Sequence, residues 1–130
     1  MQRFAQVIRL SAESEAEYIQ CHEQVWPEVL ATIAACHIKN YSIFLRQGVL
    51  FAYFEYHGTD YAADMRKMAA DPHTQRWWGI TDAMQMPMED AAPGEKWSGL
   101  REVFHFDPKP GVGMLQGNGH AAAMRLDSDA

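Results

Sequence analysis

Residues 3–10 alternate loosely between apolar and polar, with Phe4, Val7, Ile8 and Leu10 set against Arg3, Gln6 and Arg9, which predicts a strand. Ser11 and Ser14 then offer N-cap oxygens beside Glu13, Glu15 and Glu17, the charge sign favoured at a helix start. The helix they open runs to about Cys36. Pro27 lies inside it without an N–H and should kink it, or split it in two, near Trp26-Pro27. Residues 40–45 and 49–56 are aromatic and β-branched, and Arg46-Gln47-Gly48 joins them as a hairpin turn in which Gly48 is free to take positive φ. Tyr61, Met65 and Met68 recur at helical spacing within 59–70. Asp71-Pro72 reads as an N-cap followed by proline at the first helical position, opening a helix to about Met84. Past Pro87, Pro93 and Gly94, a last strand is expected at about 100–106.

The order βαββααβ is the split pattern of a ferredoxin-like α+β domain: an antiparallel four-stranded sheet with helices on one face. The other face needs cover, because residues 41–45 are apolar on both sides in places. Pairing of two copies through it, as in a dimeric α/β barrel, is the simplest answer. Residues 1–107 should form this domain. From Pro108 glycine and alanine accumulate without periodicity, so 108–130 reads as a flexible tail in which His120 stands alone.

Composition narrows the function. A length of 130 residues fits one domain, and 48% hydrophobic residues suffice for a core. The net charge of −6, with no lysine- or arginine-rich cluster, argues against nucleic acid or an anionic membrane as partner. Apolar runs such as 49–53 fall far short of the roughly 20 residues that span a bilayer. Met1-Gln2-Arg3-Phe4 leads straight into the first strand, so no secretory leader is expected. A cytoplasmic protein with a small uncharged ligand fits these features. Cys21 and Cys36 would be separated by roughly 22 Å of helix, too far for a disulfide, and are expected to be reduced thiols. The six histidines are scattered, no two at i, i+4, and no paired-cysteine motif occurs, so no metal site and no cofactor are expected.

Tyr18, His22 and Trp26 stand at i, i+4 and i+8 and would share one helix face. A core stripe accounts for the spacing. An imidazole in an apolar contact surface is the unusual part, since histidine titrates near neutrality and suits general acid–base work. Trp77-Trp78, after Gln75-Arg76, is the second unusual feature. Adjacent helical residues diverge by about 100°, so one ring packs inward while the other lines a cleft where it can cover the apolar face of a sugar. Two core tryptophans would explain the pair equally well. Tyr41 reads as a plain sheet aromatic or as a ligand contact, and Asp82 as a solvated helix residue or a supporting partner.

The run from Tyr18 through His22 to Trp26-Pro27-Glu28, then Asn40-Tyr41-Ser42-Ile43, then Gln75-Arg76-Trp77-Trp78, then Glu102-Val103-Phe104-His105, resembles the L-rhamnose mutarotase family over about residues 3–106. The resemblance implies a cofactor-free isomerase of carbohydrate metabolism, a dimeric ferredoxin-like protein that exchanges sugar anomers. It implies His22 as proton donor and Tyr18, Tyr41, Trp77 and Trp78 as substrate contacts. One segment departs from the pattern. Where rhamnose-specific members carry an Asn-Pro-Asp-Asn-Ser-Pro-like stretch, residues 86–97 here are acidic and end in Trp97, which would reshape one wall of the sugar site. L-Fucose is therefore the alternative sugar. Two readings of other classes stay open: a monooxygenase-like α/β barrel enzyme on an aromatic or haem substrate, and a binding module in which His22 is a satisfied core histidine.

Overall fold

A computed structural model describes residues 1–108. Strand β1 spans Gln2–Leu10, β2 Ile38–Arg46 and β3 Val49–Tyr56; helices α1 to α4 span Glu15–Cys21, Pro27–Ala35, Tyr61–Ala70 and Pro72–Asp82. Two short strands follow, β4 at Gln85–Met86 and β5 at Ser98–Gly99. The antiparallel sheet runs β2-β3-β1-β4, with β5 also paired to β1. This is the ferredoxin-like order the element pattern predicts. Residues 109–130, most of the expected tail, lie outside the described residues.

The expected helix from Ser11 to Cys36 is two helices. α1 ends at Cys21, a 3-10 turn covers His22–Gln24, and Val25 and Trp26 turn extended (ψ 140° and 135°) before Pro27 opens α2. A residue ahead of proline is driven out of the helical region, so Trp26 cannot continue the helix. Ser11 and Ser14 sit at the cap positions, but neither side chain makes a capping bond. Asp71 does cap α4, accepting from the backbone N–H of Thr74 at 2.8 Å and its hydroxyl at 2.9 Å. The β2–β3 hairpin turns through Gln47 and Gly48, both at positive φ (49° and 75°), the twist that suits a two-residue connection.

The strand expected at 100–106 does not form, and its place at the edge of β1 is shared by β4 and β5. The register explains this. Gln6 faces Gly99, the Leu100 N–H donates to the Ala5 carbonyl at 2.8 Å, and Arg3 Nε donates to Glu102 Oε1 at 2.8 Å. Continuing at that pace, residues past 103 outrun the start of β1 and have no ladder partner. Val103 and Phe104 are 82% and 72% exposed.

On β3, Leu50, Ala52, Phe54 and Tyr56 are buried while the residues between them are less so. Their face carries the core in two clusters. Ile8, Leu10, Tyr18, Leu50 and Met84 form one; Cys36, Ile38, Phe54, Tyr56 and Met68 form the other. The opposite face of the sheet shows Phe44 and Phe51 exposed, aligned across β2 and β3. No helix among the described residues is long and apolar enough to cross a membrane. Cys21 is partly buried and Cys36 fully buried, and neither is in a disulfide.

Candidate active site

Between the sheet and the helices opens a cavity of about 900 Å³, and Tyr18, His22, Tyr41, Trp77 and Trp78 all line it. Residues from two helices, a 3-10 turn and a strand thus meet on one wall. Trp26 does not join them. Its extended backbone takes it off the face shared by Tyr18 and His22, and its ring backs Trp77 edge-on at 5.3 Å.

His22 sits where α1 gives way to the 3-10 turn. Its ring stacks on Tyr18, one turn earlier, with centroids 4.2 Å apart, and meets Trp77 edge-on at 5.3 Å. Nδ1 lies 2.8 Å from the Tyr18 carbonyl oxygen. A carbonyl only accepts, so Nδ1 carries the hydrogen and donates it. Nε2 has no hydrogen-bond partner among the described residues and is the nitrogen left for chemistry. The Cys21 thiol donates to the same carbonyl at 3.2 Å, and burial pushes that thiol up.

Tyr18 is buried, 4% exposed, and Gln85 Nε2 donates to its hydroxyl at 3.4 Å. Burial pushes the phenol up to about 12, with the Gln85 bond acting the other way. It is therefore protonated across the physiological range, a hydrogen-bond donor and not a base.

Tyr41 owes its place to a bulge. Lys39 pairs with Glu55 and Ser42 with Tyr53, so Asn40 and Tyr41 together oppose Phe54. Asn40 takes φ 50° to allow this. The extra residue brings Tyr41 to the helix side, with its ring 5.5 Å from that of Phe54. Part of Tyr41 is exposed, yet burial still raises its phenol.

The tandem tryptophans divide as their geometry requires. Trp77 is 7% exposed and packs on His22 and Trp26, whereas Trp78 is 38% exposed at the cavity edge. Gln85, Asp82, Lys96 and Trp97 complete the wall. Of these, Asp82 stands four residues past Trp78, a spacing that places both on one helix face. Trp97, singled out in the sequence, lines the cavity from the 86–97 segment, and Lys96 arrives beside it by tertiary packing that no local spacing announces. No group of three His, Cys, Asp or Glu among the described residues could hold a metal ion.

A family model described as L-rhamnose mutarotase matches residues 3–106. An L-rhamnose mutarotase from Opitutus terrae is 36% identical over 109 residues, covering 82% of this chain and all of the relative. An L-fucose mutarotase from Xanthomonas campestris pv. campestris is 34% identical over 110 residues, covering 80% of this chain and 87% of that one. The crystal structure of an L-rhamnose mutarotase from Formosa agariphila shares the fold, with a TM-score of 0.66 at 23% identity, over 82% of this chain and all of that one. With the family model covering the whole described core and full-length relatives above 30% identity, the chain belongs to the L-rhamnose mutarotase family.

Proposed function

We propose that this chain interconverts the α and β anomers of a 6-deoxy-L-hexose, L-rhamnose first and L-fucose as the alternative, with His22 as the proton carrier. The observation that carries the reading is the single free nitrogen of His22, set in a cavity wall of tyrosine hydroxyls and tryptophan faces.

Opening the pyranose ring requires a proton on the ring oxygen as the bond to the anomeric carbon breaks. The anomeric hydroxyl loses its proton, and its O–H electrons become the carbonyl π bond. The imidazolium of His22 supplies the first proton from Nε2 while Nδ1 stays bonded to Tyr18. Both tyrosine phenols are held protonated by burial, which disfavours either as the base for the second proton. A water positioned by their hydroxyls fits that role. After the aldehyde turns, closure on its other face reverses both transfers. No electron changes hands, so the reaction needs no redox group. Trp78 covers the apolar face of the sugar and Trp77 holds the His22 ring in place.

The reading extends to assembly and location. Phe44 and Phe51 leave an apolar surface on the open sheet face, Phe104 and Phe106 are exposed in the segment past β5, and a second copy of the chain is the proposed cover. The two free thiols suit a reducing compartment, and the cytoplasm is the proposed place of work.

Anomer-exchange NMR tests the chemistry. Purified protein should speed equilibration of L-rhamnose, and His22→Ala should remove about 10²–10⁴-fold of the gain, the usual share of general acid–base catalysis. A wild-type protein that accelerates no 6-deoxyhexose sinks the proposal.

A further inference from the structure

We infer that Lys96 and Asp82 form a two-point clamp for adjacent sugar hydroxyls, and that this clamp reads the far edge of the ring. The inference rests on the proposed mutarotase reading and assigns a specificity role to a segment, 86–97, that the reading leaves without one.

Lys96 Nζ donates to Asp82 Oδ2 at 2.5 Å, and both residues line the cavity that holds His22. The side chains are 60% and 38% exposed, so as a structural tie the pair is weak, screened by solvent. What it does present is unused hydrogen-bonding capacity. An ammonium has three donors and a carboxylate two acceptor oxygens, and one contact uses only part of each. Side by side they offer a donor next to an acceptor. Adjacent sugar hydroxyls each donate and accept, so such a pair matches both with charge-assisted bonds. The two charges offset one another, which suits a neutral sugar better than an acidic one.

The segment is anchored on both sides of the pair. Arg9 Nε donates to the Pro87 carbonyl at 2.8 Å. Glu95 Oε1 accepts from the Ala92 N–H at 3.0 Å and the Ser98 hydroxyl at 3.2 Å. Trp97, next to Lys96, packs on the cluster that contains Tyr18. Lys96 is therefore presented from a fixed base. Along α4, Asp82 lies five positions after Trp77, whose ring meets His22, roughly 7.5 Å of helix rise. With the anomeric carbon and ring oxygen at His22, the clamp falls across the ring at the hydroxyls on C3 and C4. L-Rhamnose and L-fucose differ in configuration at C2 and C4, and this contact reads the difference at C4.

The test measures KM and kcat by anomer-exchange NMR for L-rhamnose and its 3,4-dideoxy analogue, in wild type, Lys96→Met and Asp82→Asn. Loss of a hydrogen bond to a charged group should raise KM for L-rhamnose about ten- to a hundredfold in each variant, with kcat and Tm little changed. For the 3,4-dideoxy sugar, which lacks both hydroxyls, wild-type KM is already raised and the variants add little. An active wild type whose variants keep KM within twofold, or raise it equally for both sugars, overturns the clamp and leaves the mutarotase reading standing. A wild type inactive on every 6-deoxyhexose overturns both.

Discussion

A histidine whose Nδ1–H is committed to a backbone carbonyl has one nitrogen left, and its charge state decides whether that nitrogen gives or takes a proton. In His22 the carbonyl belongs to Tyr18, four residues back, so the chain's own local geometry fixes the tautomer. The spacing of Tyr18 and His22 was legible in the sequence; the tie between them was not, because it needs the coordinates of a carbonyl. The tandem tryptophans illustrate the same limit. Divergence of adjacent helical positions shows that the two rings differ in environment, and only packing shows which is which. Trp77→Ala, emptying a buried site against His22 and Trp26, should cost about 3–5 kcal/mol, read as a lower denaturant midpoint. Trp78→Ala should leave that midpoint nearly unchanged while raising KM for the sugar. If both behave as core losses with no separate effect on KM, Trp78 has no part in binding.

At the level of elements, proline and glycine were the trustworthy signals. Pro27 and Pro72 open helices and Gly48 turns the hairpin, each because a fixed or freed φ admits little else. Two features escaped. Nothing in Asn40-Tyr41 declares a bulge, since bulges depend on the register of two strands at once. The strand expected at 100–106 failed because its partner runs out, a fact about β1 that its own apolar residues do not encode. One tie between elements has a pH consequence. Asp64 of α3 accepts from the Tyr56 hydroxyl of β3 at 2.5 Å and from His37 Nδ1 at 3.0 Å. Those bonds, Tyr56 first, hold its carboxyl below the ordinary aspartate range. A lowered folded value means the stabilisation is complete above the unfolded aspartate value near 3.9 and vanishes as pH falls through the folded one. Asp64→Asn should therefore lower Tm at pH 6, with the gap to wild type closing as the melt is repeated toward pH 3. A gap that stays constant over that range would show that Asp64 is not the group titrating.

For the whole molecule, the βαββααβ order was enough to predict the sheet and the side its helices cover, because few topologies accommodate it. What covers the other side concerns a second molecule. The exposed Phe44 and Phe51 lie opposite one another across β2 and β3, and Phe104 and Phe106 project from the segment beyond β1. If two copies meet here, light scattering should give twice the chain mass for the wild type. Phe44→Glu, which would bury a charge at the contact, should weaken the dimer about tenfold or more. Wild-type protein that stays monomeric at high concentration would dismiss this surface as an interface.

The chain contains four tryptophans. Trp77, Trp78 and Trp97 line the cavity, and Trp26 lies edge-on against Trp77. The ultraviolet emission of the domain therefore originates at the cavity and its immediate backing, with no distant indole to dilute it. Without any attached dye, the molecule carries its own optical report of what the cavity holds.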